Sequence, residues 1–171
     1  LDPALDLTDE VCDKGAAITA PRIEKLLEAE KTSDAKKLYK SAKEVYGTYP
    51  ELEKAGKEID VVSDIVAKRK ALKESADNAR ELEDIDQKME IYQNLVDSLP
   101  AKQKEVNDVA SKAGVASTTP VKAAVKSFNT VCQDITAARK LVIREKAYEY
   151  KEKIGEVFAR ETPTTGSGKK G

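Results

Sequence analysis

An all-α fold is what this chain predicts, and three observations carry that reading. Apolar residues recur at i, i+3, i+4 and i+7 through most of the length, the spacing that lines one face of a helix. No alternating apolar–polar pattern of the strand type persists anywhere. Glycine and proline, the strongest breakers, gather in a few turn-like clusters. The expected architecture is an antiparallel (up-down) four-helix bundle over residues 20–161. An irregular segment at 1–19 precedes it and a flexible tail at 162–171 follows it. Three long helices are the alternative arrangement.

In the N-terminal segment, Leu1-Asp2-Pro3 is a poor helix start, and Gly15 interrupts a short helical possibility at 8–14. Thr19 suits an N-cap and Pro21 the first turn of a helix running to about residue 47. Its stripe is Ile23, Leu26, Leu27, Leu38, Tyr39, Ala42, Val45 and Tyr46, weakening at Thr32-Ser33-Asp34, which reads as a kink or a second N-cap. Gly47-Thr48-Tyr49-Pro50 is a turn, with Pro50 opening the next helix. Leu52, Ala55, Ile59, Val62, Ile65 and Val66 carry that helix. Ser75-Ala76-Asp77-Asn78 reads as a turn or as a polar stretch within it. The pattern resumes at Leu82, Ile85, Met89, Tyr92, Leu95, Val96 and Leu99, until Pro100 ends or kinks it. A shorter helical piece at 101–112, a loop from Gly114 to Thr119 and a last helical stretch from about 119 to 160, as one helix or two, complete the bundle. Pro120 sits in the first turn of that last helix.

The 171 residues bound the answer to one domain, long enough to bury a core. With 40% hydrophobic but only 5% aromatic residues, Leu, Ile, Val and Ala must fill it. The 30 Lys+Arg and 31 Asp+Glu nearly cancel, and a net charge of -1 argues against a general nucleic-acid binder. No apolar run approaches the length of a transmembrane helix. The chain opens at Leu1 without a signal-peptide pattern, which reads as either a processed protein or an excised segment.

The chemistry is bounded by what is missing. There is no histidine, the usual general base and the commonest metal ligand. Ser-His and Cys-His constellations and the Glu-x-x-His pairs of bundle di-metal sites are therefore impossible. Gly166-Ser167-Gly168-Lys169-Lys170 lies in the tail, with neither a strand before it nor a helix after it, so it is not a phosphate loop. The acidic run Glu81-Leu82-Glu83-Asp84-Ile85-Asp86 lacks the Gly and Glu of a calcium loop and reads as a solvated helix face. We assign no catalytic, cofactor-binding or metal-ligating residue, and the expectation is a non-enzymatic protein without a cofactor.

Three features remain. Cys12 and Cys132 are about 120 residues apart. Cys132 lies on an apolar helix face, whereas Cys12 lies in a polar segment where an unbridged thiol would be exposed and reactive. A disulfide between them is expected, and it would imply an oxidising compartment. Lysine-rich stretches at Lys36, Lys37 and Lys40 and at Lys68, Arg69 and Lys70 are interleaved with acids. They read as solubilising faces paired at i, i+4, or as a basic docking surface for an acidic partner. Tyr148, Tyr150 and Phe158 read as core or edge packing, with one exposed tyrosine as a possible anchor.

The segment from Phe128 to Lys140, Phe-Asn-Thr-Val-Cys-Gln-Asp-Ile-Thr-Ala-Ala-Arg-Lys, resembles part of the PsbQ family. So does Tyr148-Glu149-Tyr150 with Ile154-Gly155-Glu156-Val157-Phe158-Ala159-Arg160. The match spans roughly 30 residues of the 171, in the C-terminal third. The family separates those two helices by a polar loop, whereas Leu141-Val142-Ile143-Arg144-Glu145-Lys146 offers no breaker here. The resemblance implies a PsbQ-like, PsbQ-prime-type extrinsic protein of an algal plastid. Such a protein would be peripheral to the membrane in the thylakoid lumen. It would dock to the lumenal face of the photosystem II core beside other extrinsic subunits, and it would stabilise the oxygen-evolving complex. A secreted or lipid-anchored helical-bundle protein of a cell surface, for example of a protozoan parasite, is the alternative. A helical carrier with an apolar interior cavity is a third reading.

Overall fold

The computed structural model describes residues 8–161, with side chains described through Ala159. Leu1 to Leu7 and the tail at 162–171 lie outside the described residues. The described chain is all-helical. Five helices follow one another: α1 (Asp9–Glu28), α2 (Thr32–Tyr46), α3 (Pro50–Arg80), α4 (Ile85–Lys112) and α5 (Thr119–Glu161).

The first correction is at the N-terminus. Residues 9–19 are helical, not irregular. Cys12, Ala16, Thr19, Ala20, Ile23 and Leu27 form one buried stripe along α1. Gly15 stays in the helix because α2 packs there: a Cβ at Gly15 would clash with the edge of the Tyr46 ring, 2.6 Å from its Cζ. Thr19 is not a cap. Its hydroxyl donates to the carbonyl of Gly15 at 2.8 Å, one turn back. Pro21 lies within α1 rather than in its first turn.

The second correction is the break at 29–31. The predicted single helix is two antiparallel ones, α1 and α2. Glu30 takes the left-handed conformation (φ 57°), and Lys31 N–H bonds back to the Leu26 carbonyl at 2.8 Å. Glycine usually holds this helix-ending position, so the sequence marked the restart at Thr32-Ser33-Asp34, as a kink or a second N-cap, but not the Glu30 turn before it. The same motif closes α4, where Gly114 (φ 73°) supplies it and Val115 N–H reaches the Ala110 carbonyl at 3.3 Å.

The turn at Gly47–Tyr49 forms as expected, with Pro50 at the first turn of α3. Ser75–Asn78 remains helical, and the chain turns instead at 81–84. There the Asp84 carboxylate accepts from the N–H groups of Asp86 (2.8 Å) and Gln87 (3.1 Å) and caps α4. The acidic run is thus a turn and a cap rather than a helix face. Pro100 does not end its helix: α4 passes through it to Lys112. From Thr119 onward α5 is one helix, with no loop at 141–146.

Side-chain contacts fix the directions. Tyr49 hydroxyl donates to the Asp9 carbonyl at 3.1 Å, and Lys54 lies 3.4 Å from Glu24, so α1 runs alongside α3 in the same sense. α2 returns between them, with Tyr39 packed over Gly56, where a Cβ would approach its hydroxyl to 2.8 Å. α4 runs antiparallel to α3 and α5, and Tyr92 hydroxyl donates to the Ala76 carbonyl at 3.0 Å. Gln103 donates to Asn129 at 2.9 Å and Asp86 meets Lys146 at 2.6 Å, so α5 runs antiparallel to α4 and hence parallel to α3, with Arg69 reaching Ser127 between them.

One continuous core results. Ile23, Leu27, Leu52, Ile59 and Val62 fill its first half, and Tyr92, Leu99, Val106, Phe128 and Ile135 fill its second. α3 is the spine common to both. The five helices are therefore staggered along α3 rather than arranged as four around one axis.

Candidate functional site

The predicted basic surface is divided by the fold. Lys36, Lys37 and Lys40 are exposed on α2. Lys36 borders an open groove of about 680 Å³ between α2 and α3, with Tyr39, Lys43, Glu53, Lys57 and Asp60. Lys68 and Arg69 lie more than two turns further along α3 than Asp60. They face inward. Lys68 spans Asp64 (2.7 Å) and Glu105 of α4 (2.8 Å). Arg69 makes a two-pronged pair with the Glu30 carboxylate and also donates to Ser127, fastening the α1–α2 turn to α3 and α5. That pairing holds the Glu30 carboxyl below its usual range. Only Lys70 of this second stretch is exposed. The two stretches therefore form no single docking patch, because helical periodicity turns Lys68 and Arg69 toward neighbouring helices.

The cysteines are also not what the sequence led us to expect. No disulfide joins them, and both are buried. Because α1 begins at Asp9, Cys12 falls on the same face as Ala16, so burial replaces the exposure that made pairing attractive. Cys132 sits under Val96, Leu99 and Pro100 of α4, where burial raises its thiol pKa.

One buried carboxylate stands out. Glu58 is completely enclosed, yet neither carboxylate oxygen accepts a hydrogen bond, and the Lys54 ammonium is 3.5 Å away. Burial raises its pKa, which Lys54 opposes and Glu24 reinforces. None of the open grooves borders Glu58. Among the described residues no cluster of three or more Cys, Asp or Glu is arranged to hold a metal ion. Among the described residues no helix is long and apolar enough to cross a membrane.

The most distinctive surface lies at the end of α5. Lys146 is the last buried residue of that helix, reaching Asp86 at the start of α4 at 2.6 Å. Beyond it α5 continues for about 22 Å with α4 and α3 already ended. Tyr148, Tyr150, Ile154, Val157 and Phe158 are 53–68% exposed there. The reading of Tyr148, Tyr150 and Phe158 as core or edge packing is thus overturned: α5 outruns its partners. Ile143 begins the same exposed line, and Lys146 lies over the Tyr150 ring, 4.9 Å from its centroid. The sequence showed this apolar stripe but not its lack of cover, since buried and uncovered stripes have the same period.

No known protein family, curated protein or solved structure matches this chain.

Proposed function

We propose that this is a non-enzymatic helical docking protein, held peripherally on a larger assembly by exposed helix faces. The projecting end of α5 carries this reading. It places an apolar line bordered by charge on a rigid helix clear of the bundle, where burial against a partner would stabilise attachment. The absence of histidine supports a role other than acid–base catalysis.

The PsbQ resemblance makes the lumenal face of photosystem II the assembly to test first, with retention of the oxygen-evolving complex as the effect of docking. The second reading, a cell-surface helical protein, is favoured by the staggered helices, which leave the end of α5 beyond Lys146 projecting from the bundle. Fractionation of the source cells, with mass spectrometry for peptides of this chain, separates the two. Co-migration with photosystem II particles, lost on washing with high salt, supports the extrinsic-subunit reading. Recovery in plasma-membrane or secreted fractions instead replaces it with the surface reading. Migration as a lone chain in every fraction overturns docking itself.

A further inference from the structure

Resting on that docking reading, we infer that the end of α5 is one strand of a two-stranded coiled coil, completed by an acidic-flanked amphipathic helix of a partner protein.

The spacing is the first argument. Ile143, Ala147, Tyr150, Ile154 and Val157 follow one another by four, three, four and three residues. That is the a/d spacing of a coiled-coil seam, with exposed Phe158 at the e position beside it and exposed Tyr148 further round the helix. Ile143, Tyr150, Ile154 and Val157 are 41–56% exposed. At about 100° per residue, the seam is rotated by roughly a quarter turn from the face that α5 buries through Phe128, Ile135 and Val142. It is therefore a separate surface, not a frayed continuation of the core stripe.

Charge selects the occupant. In this register Arg144 and Lys151 border one side of the seam, and Lys146 and Lys153 border the other. Glu145, Glu149, Glu152 and Glu156 lie on the far face. Glu149 accepts from Lys153 and lies 3.8 Å from Lys146, while Arg144 and Lys151 make no ion pair with any described residue. A second copy of this helix would set basic flank against basic flank in either orientation. A flat anionic membrane would meet four basic and four acidic residues between Ile143 and Val157, all within about one Debye length, with no net attraction. A partner helix sees only the flanks, and acidic residues at its own e and g positions complement Arg144 and Lys151, whereas Lys146 is buried against Asp86 and Lys153 pairs with Glu149.

Residues 162–171 are not that helix: they carry Lys169 and Lys170 but no acid and no large apolar side chain.

The test uses the full chain and a fluorescein-labelled three-heptad peptide with Ile and Leu at a and d and Glu at every e and g. A second peptide carries Lys at those flanks. Fluorescence anisotropy should show at least about tenfold tighter binding of the Glu peptide, weakening as salt rises. Ile154→Asp should abolish it without loss of helical circular dichroism. Arg144→Glu with Lys151→Glu should shift preference toward the Lys peptide. Equal binding of the two peptides, or Glu-peptide binding unchanged by Ile154→Asp, overturns the inference. So does binding to phosphatidylserine vesicles in place of the peptide, or sedimentation as a dimer that Ile154→Asp dissolves. If the Ile154→Asp protein still enters a salt-labile particle, docking stands and the seam falls. If the wild-type chain binds the Glu peptide but enters no particle, the seam stands and the docking reading falls.

Discussion

Glu58 is the residue at which burial and chemistry conflict most. A carboxylate with both oxygens unsatisfied destabilises the fold when charged, and Lys54 offsets this only in part. Its pKa is raised in the folded protein, so the folded state holds the proton more tightly than the unfolded one. The contribution of Glu58 to stability is therefore greatest below the ordinary glutamate value of 4.5 and falls as pH rises through and above it. Glu58→Gln should raise stability at neutral pH by about 1–3 kcal/mol. The difference from wild type should shrink toward pH 4, as thermal melts at both pH values would show. A constant difference across that range would mean that charge is not the cause. Glu30 has the opposite sign: its depressed pKa gives stability above the ordinary value, lost as pH falls through the folded one. A double-mutant cycle of Glu30→Gln and Arg69→Met, read by urea unfolding, should return about 1–2 kcal/mol of coupling at neutral pH. That coupling should be lost in acid.

At the scale of elements, the helices depend on pairs that cannot be seen one helix at a time. Gly15 illustrates this. Intrinsic propensity says that Gly15→Ala in a helix should stabilise by about 1 kcal/mol. Tyr46 of α2 occupies the space of the new methyl, so the change should instead destabilise by about 1–3 kcal/mol. Combining it with Tyr46→Ala should restore the favourable sign of the alanine, and chemical denaturation of the three variants checks this. Pro100 carries the same lesson. A proline removes one helix hydrogen bond, but the apolar line of α4 on both sides of it, from Tyr92 and Leu99 to Val106 and Ala110, is buried against α5 and α3. That burial outweighs the roughly 3 kcal/mol penalty that made Pro100 an expected end or kink of the helix.

For the whole molecule, stagger along α3 separates a packed body from an exposed arm. Residues 151–159 are all exposed, so a chain ending after Tyr150 should keep a melting temperature within about 2 °C of the full chain. It should lose the Glu-peptide binding described above. A large drop in melting temperature would show instead that the arm supports the body. Arg69 holds the other junction, joining the α1–α2 turn to α3 and α5 through side chains 39 and 58 residues away in sequence.

The sequence by itself determined the helical class, the turns marked by Pro50 and Gly114, the apolar stripe of the last helical stretch and the histidine-free chemistry, but not that this stretch is one helix. These are local: periodicity, breakers and composition act over a few residues. Only the tertiary structure decided that α1 starts at Asp9, that Glu30 ends it and that Lys68 and Arg69 turn inward. It alone buried Cys12 and Cys132 apart and left the seam from Ile143 to Val157 uncovered. The reason is physical. An amphipathic period says that a helix has an apolar face, but where that face lies, and whether anything covers it, is set by the lengths and offsets of the other helices.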